Sequence, residues 1–273
     1  MKVALCFSGY IGTLGGKTNK HIGEHSNTVL DLSYKHFKEH ILDKNDVDIF
    51  IHSWEVDEEE NIKKLYKPKL SIFENQIVFD TAPHIQTNDE KRKQAHYSRW
   101  YGLKKAVELK REYEIKNDFI YDYVMVSRFD IAWMNDVIFS KFDNKYFWIA
   151  RAMGDKITGK WYGWPYSGLE ITDLWFFTNS ENMDRFSLLY DNLFEYTKPK
   201  WPTWNGISSH FLSVFHLFQL GLLDDKTKFA FDYGSYGEKA SVMDDFALIR
   251  CQYGEDLGVE SDQIASCIQE RNI

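Results

Sequence analysis

The residues best suited to chemistry stand at the end of an apolar run, Tyr121-Asp122-Tyr123-Val124-Met125-Val126-Ser127-Arg128-Phe129-Asp130. A buried strand ending in Arg-x-Asp sets a guanidinium and a carboxylate two residues apart on the same side of the chain. Such a pair can hold a diphosphate, the carboxylate through a divalent cation with oxygen ligands and the guanidinium directly. The alternative is an ion pair between Arg128 and Asp130 that closes the strand. A second candidate is the glycine-rich stretch from Ser8 to Thr18, after the first apolar run, where α/β sheets bind nucleotides. It fits neither familiar phosphate template. A P-loop needs glycine where Ile11 stands, and the spacing Gly9-x-x-Gly12-x-x-Gly15 is not Gly-x-Gly-x-x-Gly. A ligand loop and a plain turn using positive φ both remain open. A third candidate, His52-Ser53-Trp54, ends the second apolar run, with a hydrogen-bonded core histidine as its alternative.

The elements that must position these residues follow from hydrophobic periodicity. Lys2 to Ser8 reads as a buried strand, and Leu30, Tyr34, Phe37 and Ile41 recur as one apolar helix face. Val47 to Ser53 and Leu70 to Phe73 read as strands. A long helix is expected from about Glu90 to Glu114, with Trp100, Leu103 and Val107 facing inward, followed by a strand over Tyr121 to Val126. Tyr146 to Ala150 and Leu174 to Phe177 are further strands. Thr178-Asn179-Ser180-Glu181 has the form of a capping box opening a helix through Leu193, and a helix from Ile207 to Leu220 should stop at Gly221. This alternation is that of an α/β domain with a largely parallel sheet. With no repeat and no Pro/Gly linker, one domain is expected over residues 1–273.

Composition narrows the partners. With 33 basic and 41 acidic residues the net charge is −8, which disfavours a nucleic-acid backbone. Cys6, Cys251 and Cys267 are three cysteines at long spacings, so no disulfide framework is expected and a reducing cytosol fits. The apolar start, Val3 to Phe7, is too short for a signal-peptide core, and no stretch approaches the roughly 18 apolar residues that span a bilayer. A soluble, cytoplasmic chain is the expectation. Aromatic residues make up 16%, a surplus that suits stacking on sugars or bases.

The order of these segments resembles glycosyltransferases of the GT-A fold, especially those of large DNA viruses and bacterial surface-polysaccharide clusters. The likeness is carried by Val3 to Gly9, Val47 to Trp54, the Ser98-to-Tyr113 helix, Tyr123 to Asp130, Asp173 to Phe177 and Asn179 to Met183, spanning roughly residues 1–220. It implies a GT-A-like domain with a mixed, mostly parallel sheet flanked by helices. Residues 1–130 would be its nucleotide-binding half and 131–273 its acceptor-binding half. In that family an Asp-x-Asp motif grips ribose and a metal. Here Arg128 stands at the first Asp and Asp130 keeps the second, so Mn²⁺ or Mg²⁺ on Asp130 is implied, with Arg128 able to replace part of its charge. The resemblance also implies that Phe7, Ser8, Gly9, Tyr10, Ile11, His52, Ser53 and Trp54 border the nucleoside. Arg99 would reach the phosphates, and Asp173 would be the catalytic base or a donor-sugar ligand.

An acceptor glycan is expected on the ring-dense loops that hold Trp161, Tyr162 and Trp164, and Trp204 with Asn205. The implied activity is hexosyl or pentosyl transfer from a UDP- or GDP-sugar to a glycan hydroxyl. Two alternatives stand beside it: a non-catalytic carbohydrate-binding protein using the Trp-rich loops, and a different nucleotide-binding transferase relying on the glycine loop.

Overall fold

A computed structural model describes residues 1–12, 26–85, 90–151, 171–198, 200, 207–231 and 246–249. Nine strands occur among them: β1 (Val3–Gly9), β2 (Val47–Ser53), β3 (Leu70–Phe73), β4 (Tyr123–Ser127), β5 (Ile131–Trp133), β6 (Phe147–Arg151), β7 (Ile171–Thr178), β8 (Thr227–Phe229) and β9 (Phe246–Leu248). Seven form one sheet in the order β3-β2-β1-β4-β7-β6-β8, and β5 pairs with β9 in a small second sheet. All neighbours in the large sheet are parallel except at β7, which runs against both β4 and β6. The helices are α1 (Ser26–His40), α2 (Glu59–Tyr66), α3 (Glu90–Asn117), α4 (Ser180–Ser187), α5 (Leu189–Tyr196) and α6 (Ser209–Gln219). This is the expected α/β architecture, a mixed and mostly parallel sheet flanked by helices, and it is consistent with a GT-A-like fold.

Strand alternation explains why both faces are covered. On β1, Val3, Leu5 and Phe7 enter one core with Val29, Phe37 and Trp133, while Ala4 and Cys6 enter the other with Trp100, Leu103 and Val107. Strands buried on both sides read as continuous apolar runs, which is how β1, β2 and β4 appear in the sequence. Each fully buried phenylalanine, such as Phe7 or Phe50, contributes roughly 2 kcal/mol by leaving water.

Helix α3 is the long helix expected from the sequence, with Trp100, Leu103 and Val107 buried. It lies close against β1 and β2 at Gly102, where a Cβ would stand 3.1 Å from His52 Nδ1 and 3.4 Å from the Ser8 Cβ. Farther along, fully buried Lys110 donates to Glu114 at 2.9 Å, Ser180 at 2.6 Å and Asp184 at 2.6 Å, fastening α3 to α4. Glu114 also accepts from Ser180 Oγ and from the Tyr121 amide ahead of β4.

Two local expectations are corrected. The cap of α4 is Asn179, whose Oδ1 accepts from the Asn182 amide at 2.9 Å, and not Thr178. Thr178 ends β7 instead, and its hydroxyl donates to the Tyr146 carbonyl at 3.0 Å. The single helix expected through Leu193 is two helices, because Leu188 adopts φ −72 and ψ 3 and turns the chain. Both resulting helices bury an apolar side, Phe186 on one and Leu189 with Leu193 on the other.

Candidate functional site

The carboxyl ends of β1 and β4 lie side by side, because the two strands are parallel neighbours. Strand β7 runs the other way beside β4, so its beginning reaches the same edge. Three distant segments thereby meet: Ser8 to Gly12, Arg128 to Asp130, and Asp173. Gly9 and Gly12 have φ of +97 and +92, conformations that a side chain would strain, and they let the first segment turn back across the edge. Gly12 rests against Asp130, with an added Cβ at 3.5 Å from the Asp130 Cβ.

The turn after β4 is held at each residue. The Arg128 amide donates to the Leu174 carbonyl at 3.3 Å, and the Ile249 amide donates to the Asp130 carbonyl at 3.0 Å. Between them the Ser33 hydroxyl of α1 donates to the Phe129 carbonyl, and the Phe129 ring stacks on Phe7 with centroids 4.8 Å apart. Arg128 is thus fixed where it forks onto Asp130, Nε to Oδ1 at 2.9 Å and Nη2 to Oδ2 at 2.7 Å. The ion pair that the sequence left as an alternative is formed. Burial pushes the Asp130 carboxyl above the ordinary carboxylate range, while Arg128 acts the other way. Each of its two oxygens accepts one N–H group from Arg128.

Arg99 rises from α3 into the same edge and ties it together. Its Nη1 donates to Ser8 Oγ at 3.0 Å and its Nη2 to the Asp173 carbonyl at 2.6 Å, with Nε 3.8 Å from Asp173 Oδ2. Burial pushes the guanidinium down to about 10, so it remains a cation at neutral pH. Burial would raise the Asp173 carboxyl, but nearby His210, Arg99, Arg128 and His96 outweigh it and hold Asp173 below the usual range. Asp173 is therefore ionised and a weak base by itself.

His210, on the first turn of α6, supplies what Asp173 lacks. Its Nδ1 lies 2.8 Å from the Ile171 carbonyl and 3.6 Å from Asp173 Oδ1. A carbonyl only accepts, so Nδ1 carries the proton and Nε2 is the basic nitrogen of the neutral ring. The imidazole is half-exposed beside the Asp173 carboxylate. Nothing in the local sequence marks His210, since its link to Asp173 is made only when α6 packs on β7. Glu55 likewise leaves no local signal in the sequence. It follows β2, accepts from the Ile11 amide at 3.2 Å and is raised in pKa by burial.

The structure gathers Ser8, Gly9, Arg99, Arg128, Asp130 and Asp173, with Tyr10 exposed at the rim. Ser53 supports the loop by donating to the Gly9 carbonyl at 2.9 Å. Four other residues expected to border a nucleoside are placed inside the protein. Phe7 and Ile11 are fully buried in the core. Trp54 is 4% exposed and stacks on Tyr101, and His52 is buried with Nε2 2.8 Å from Glu74 Oε1. These four back the edge, because their side chains fall on core-facing positions. Trp161, Tyr162, Trp164, Trp204 and Asn205 lie outside the described residues.

Divalent cations of the Mg²⁺ or Ca²⁺ kind take six or more oxygen ligands, at least one or two from carboxylates. Asp130 is 1% exposed and presents both oxygens to Arg128. Among the described residues, no three His, Cys, Asp or Glu side chains are gathered to hold a metal. Among the described residues, this donor set does not fit the cation expected on Asp130. The edge instead gathers two guanidinium groups, Arg99 at 12% exposure and Arg128 at 23%.

No known family model matches this chain, and no curated protein is significantly similar to it in sequence. Among the described residues, no helix is long and apolar enough to cross a membrane.

Proposed function

We propose that the protein is a glycosyltransferase that moves a hexosyl or pentosyl group from a UDP- or GDP-sugar to a hydroxyl of a glycan acceptor. The observation that carries this reading is the meeting of Arg99, Arg128, Asp130 and Asp173 with the glycine turn at the carboxyl edge of β1 and β4. That edge is where open α/β sheets take nucleotides. In the reaction the acceptor oxygen bonds to the anomeric carbon, and the bond from that carbon to the phosphate oxygen breaks. Its electron pair leaves with the nucleoside diphosphate. Fixed guanidinium groups stabilise the charge that builds there without reorganising. The acceptor proton passes to the Asp173–His210 pair, with His210 Nε2 the nitrogen open to receive it. The net charge of −8 disfavours a nucleic-acid backbone as partner, and no helix among the described residues is long and apolar enough to cross a membrane.

The test is a panel of UDP- and GDP-sugars, with thermal shift to read binding and released nucleoside diphosphate to read slow hydrolysis. A shift with one nucleotide class, lost in Arg99→Met, is expected. Absence of any shift and any hydrolysis across the panel refutes the proposal. A shift with a dinucleotide or S-adenosylmethionine instead points to a different transferase.

A further inference from the structure

We infer that the donor diphosphate is bound by the guanidinium pair Arg99 and Arg128 without a divalent cation. This rests on the nucleotide-sugar reading of the site and specifies how that site holds its ligand. Three observations carry it. First, Asp130, the one carboxylate at the position where a metal ligand is expected, is buried and gives both oxygens to Arg128 at 2.9 and 2.7 Å. A cation would have to break a bidentate, charge-assisted pair and approach two guanidinium groups. Second, a further carboxylate of the edge, Asp173, is turned toward cationic or proton-bearing groups, with Arg99 Nε at 3.8 Å and His210 Nδ1 at 3.6 Å. Third, Arg99 Nε is buried and makes no hydrogen bond, although Nη1 and Nη2 of the same group are engaged. A buried donor left unmade costs about 1–3 kcal/mol. An incoming phosphate oxygen would satisfy it.

The two aspartates then have a role other than metal ligation. Asp130 fixes the plane of Arg128 and Asp173 braces Arg99, so both forks are set before the ligand arrives. Rigid, planar donors with a defined orientation suit phosphate better than a mobile ammonium. A lysine at either position would keep the charge and lose the fork.

The experiment is calorimetric titration of UDP and GDP into the intact protein, once in EDTA and once with Mn²⁺ or Mg²⁺. One of the two nucleotides should bind in EDTA with a Kd within about twofold of that in metal, and Arg99→Lys and Arg128→Lys should each weaken this binding by about tenfold or more. The wild-type comparison needs no variant, so a misfolded variant does not spoil the test. Binding seen only with Mn²⁺ or Mg²⁺ overturns the inference and leaves the transferase reading standing. Failure of both nucleotides in both buffers overturns the two together.

Discussion

Replacing Arg99 with methionine removes a side chain that links α3, β1 and β7 at the functional edge. The change deletes a 3.0 Å bond to Ser8 and a 2.6 Å bond to the Asp173 carbonyl, and it takes a cation away from the Asp173 carboxylate. Breaking a buried pair from one side costs about 3–5 kcal/mol, because the remaining charge is left uncompensated. Asp173 is still 16% exposed and keeps His210 at 3.6 Å, so the low end, about 3 kcal/mol, is expected. At about 2–4 °C per kcal/mol for a chain of this size, Tm should fall by roughly 9 °C. The pH dependence is more diagnostic. Asp173 has a folded pKa below its unfolded value, so its stabilising contribution is present above the unfolded carboxylate value near about 3.9 and is lost as pH falls through the folded value. Removing Arg99 shrinks that contribution, so the gap between wild type and variant is widest at neutral pH and narrows below about pH 4. Urea unfolding at pH 7 and pH 3 measures both quantities. Adding Asp173→Asn to the variant should recover about 1–2 kcal/mol at pH 7 by removing the stranded charge. A loss under about 1 kcal/mol at pH 7, or one that is unchanged at pH 3, refutes the reasoning.

Three other perturbations follow from the packing around the edge. Lys110→Met should lower urea stability by about 3 kcal/mol by stranding Glu114 and Asp184, and combining it with Glu114→Gln and Asp184→Asn should restore part of that; a single variant as stable as wild type would argue against the clasp. Gly102→Ala should lower Tm although alanine is the better helix former by about 1 kcal/mol, because its Cβ meets His52, itself fixed on Glu74, at a cost of about 1–3 kcal/mol; a higher Tm would contradict the close approach. Burial holds the His216 imidazole down to about 4, so the unfolded chain binds more protons between about pH 6.5 and 4, and stability should fall by about 3 kcal/mol as pH drops through that window. His216→Gln should flatten that slope in urea midpoints measured from pH 7 to pH 4, and an unchanged slope would place the titrating group elsewhere.

Strands β1, β2 and β4 and helix α3 were legible because burial on both faces, or on one long stripe, writes itself into local composition. Arg128 and Asp130 could be found for the same reason, since they end a strand too apolar to be anything else. The direction of β7 was not legible. A strand reads alike in either direction, and only its pairing with β4 and β6 brings Asp173 to the site. His210 and Glu55 left no local signal because each works through a contact with a distant segment. Phe7 and Trp54 show the converse error: both sit next to site residues in sequence, yet alternation along the strand and packing on Tyr101 turn their rings inward. Thr178 matched the capping pattern, but the strand it ends claimed its hydroxyl.

The reversed strand also dictates when the site comes into being. The strands β3, β2, β1 and β4 can associate from the first 127 residues alone, whereas β6 pairs with β7 and β8. A chain emerging from the ribosome therefore carries Arg99 for 74 residues before Asp173 appears. Until β7 slots between β4 and β6, that guanidinium must stay hydrated and the edge stays open. If the proposed nucleotide site is right, its affinity is reserved for the finished sheet, and a ligand bound there acts as a late-stage folding aid that stabilises the completed chain and leaves its half-built precursors untouched.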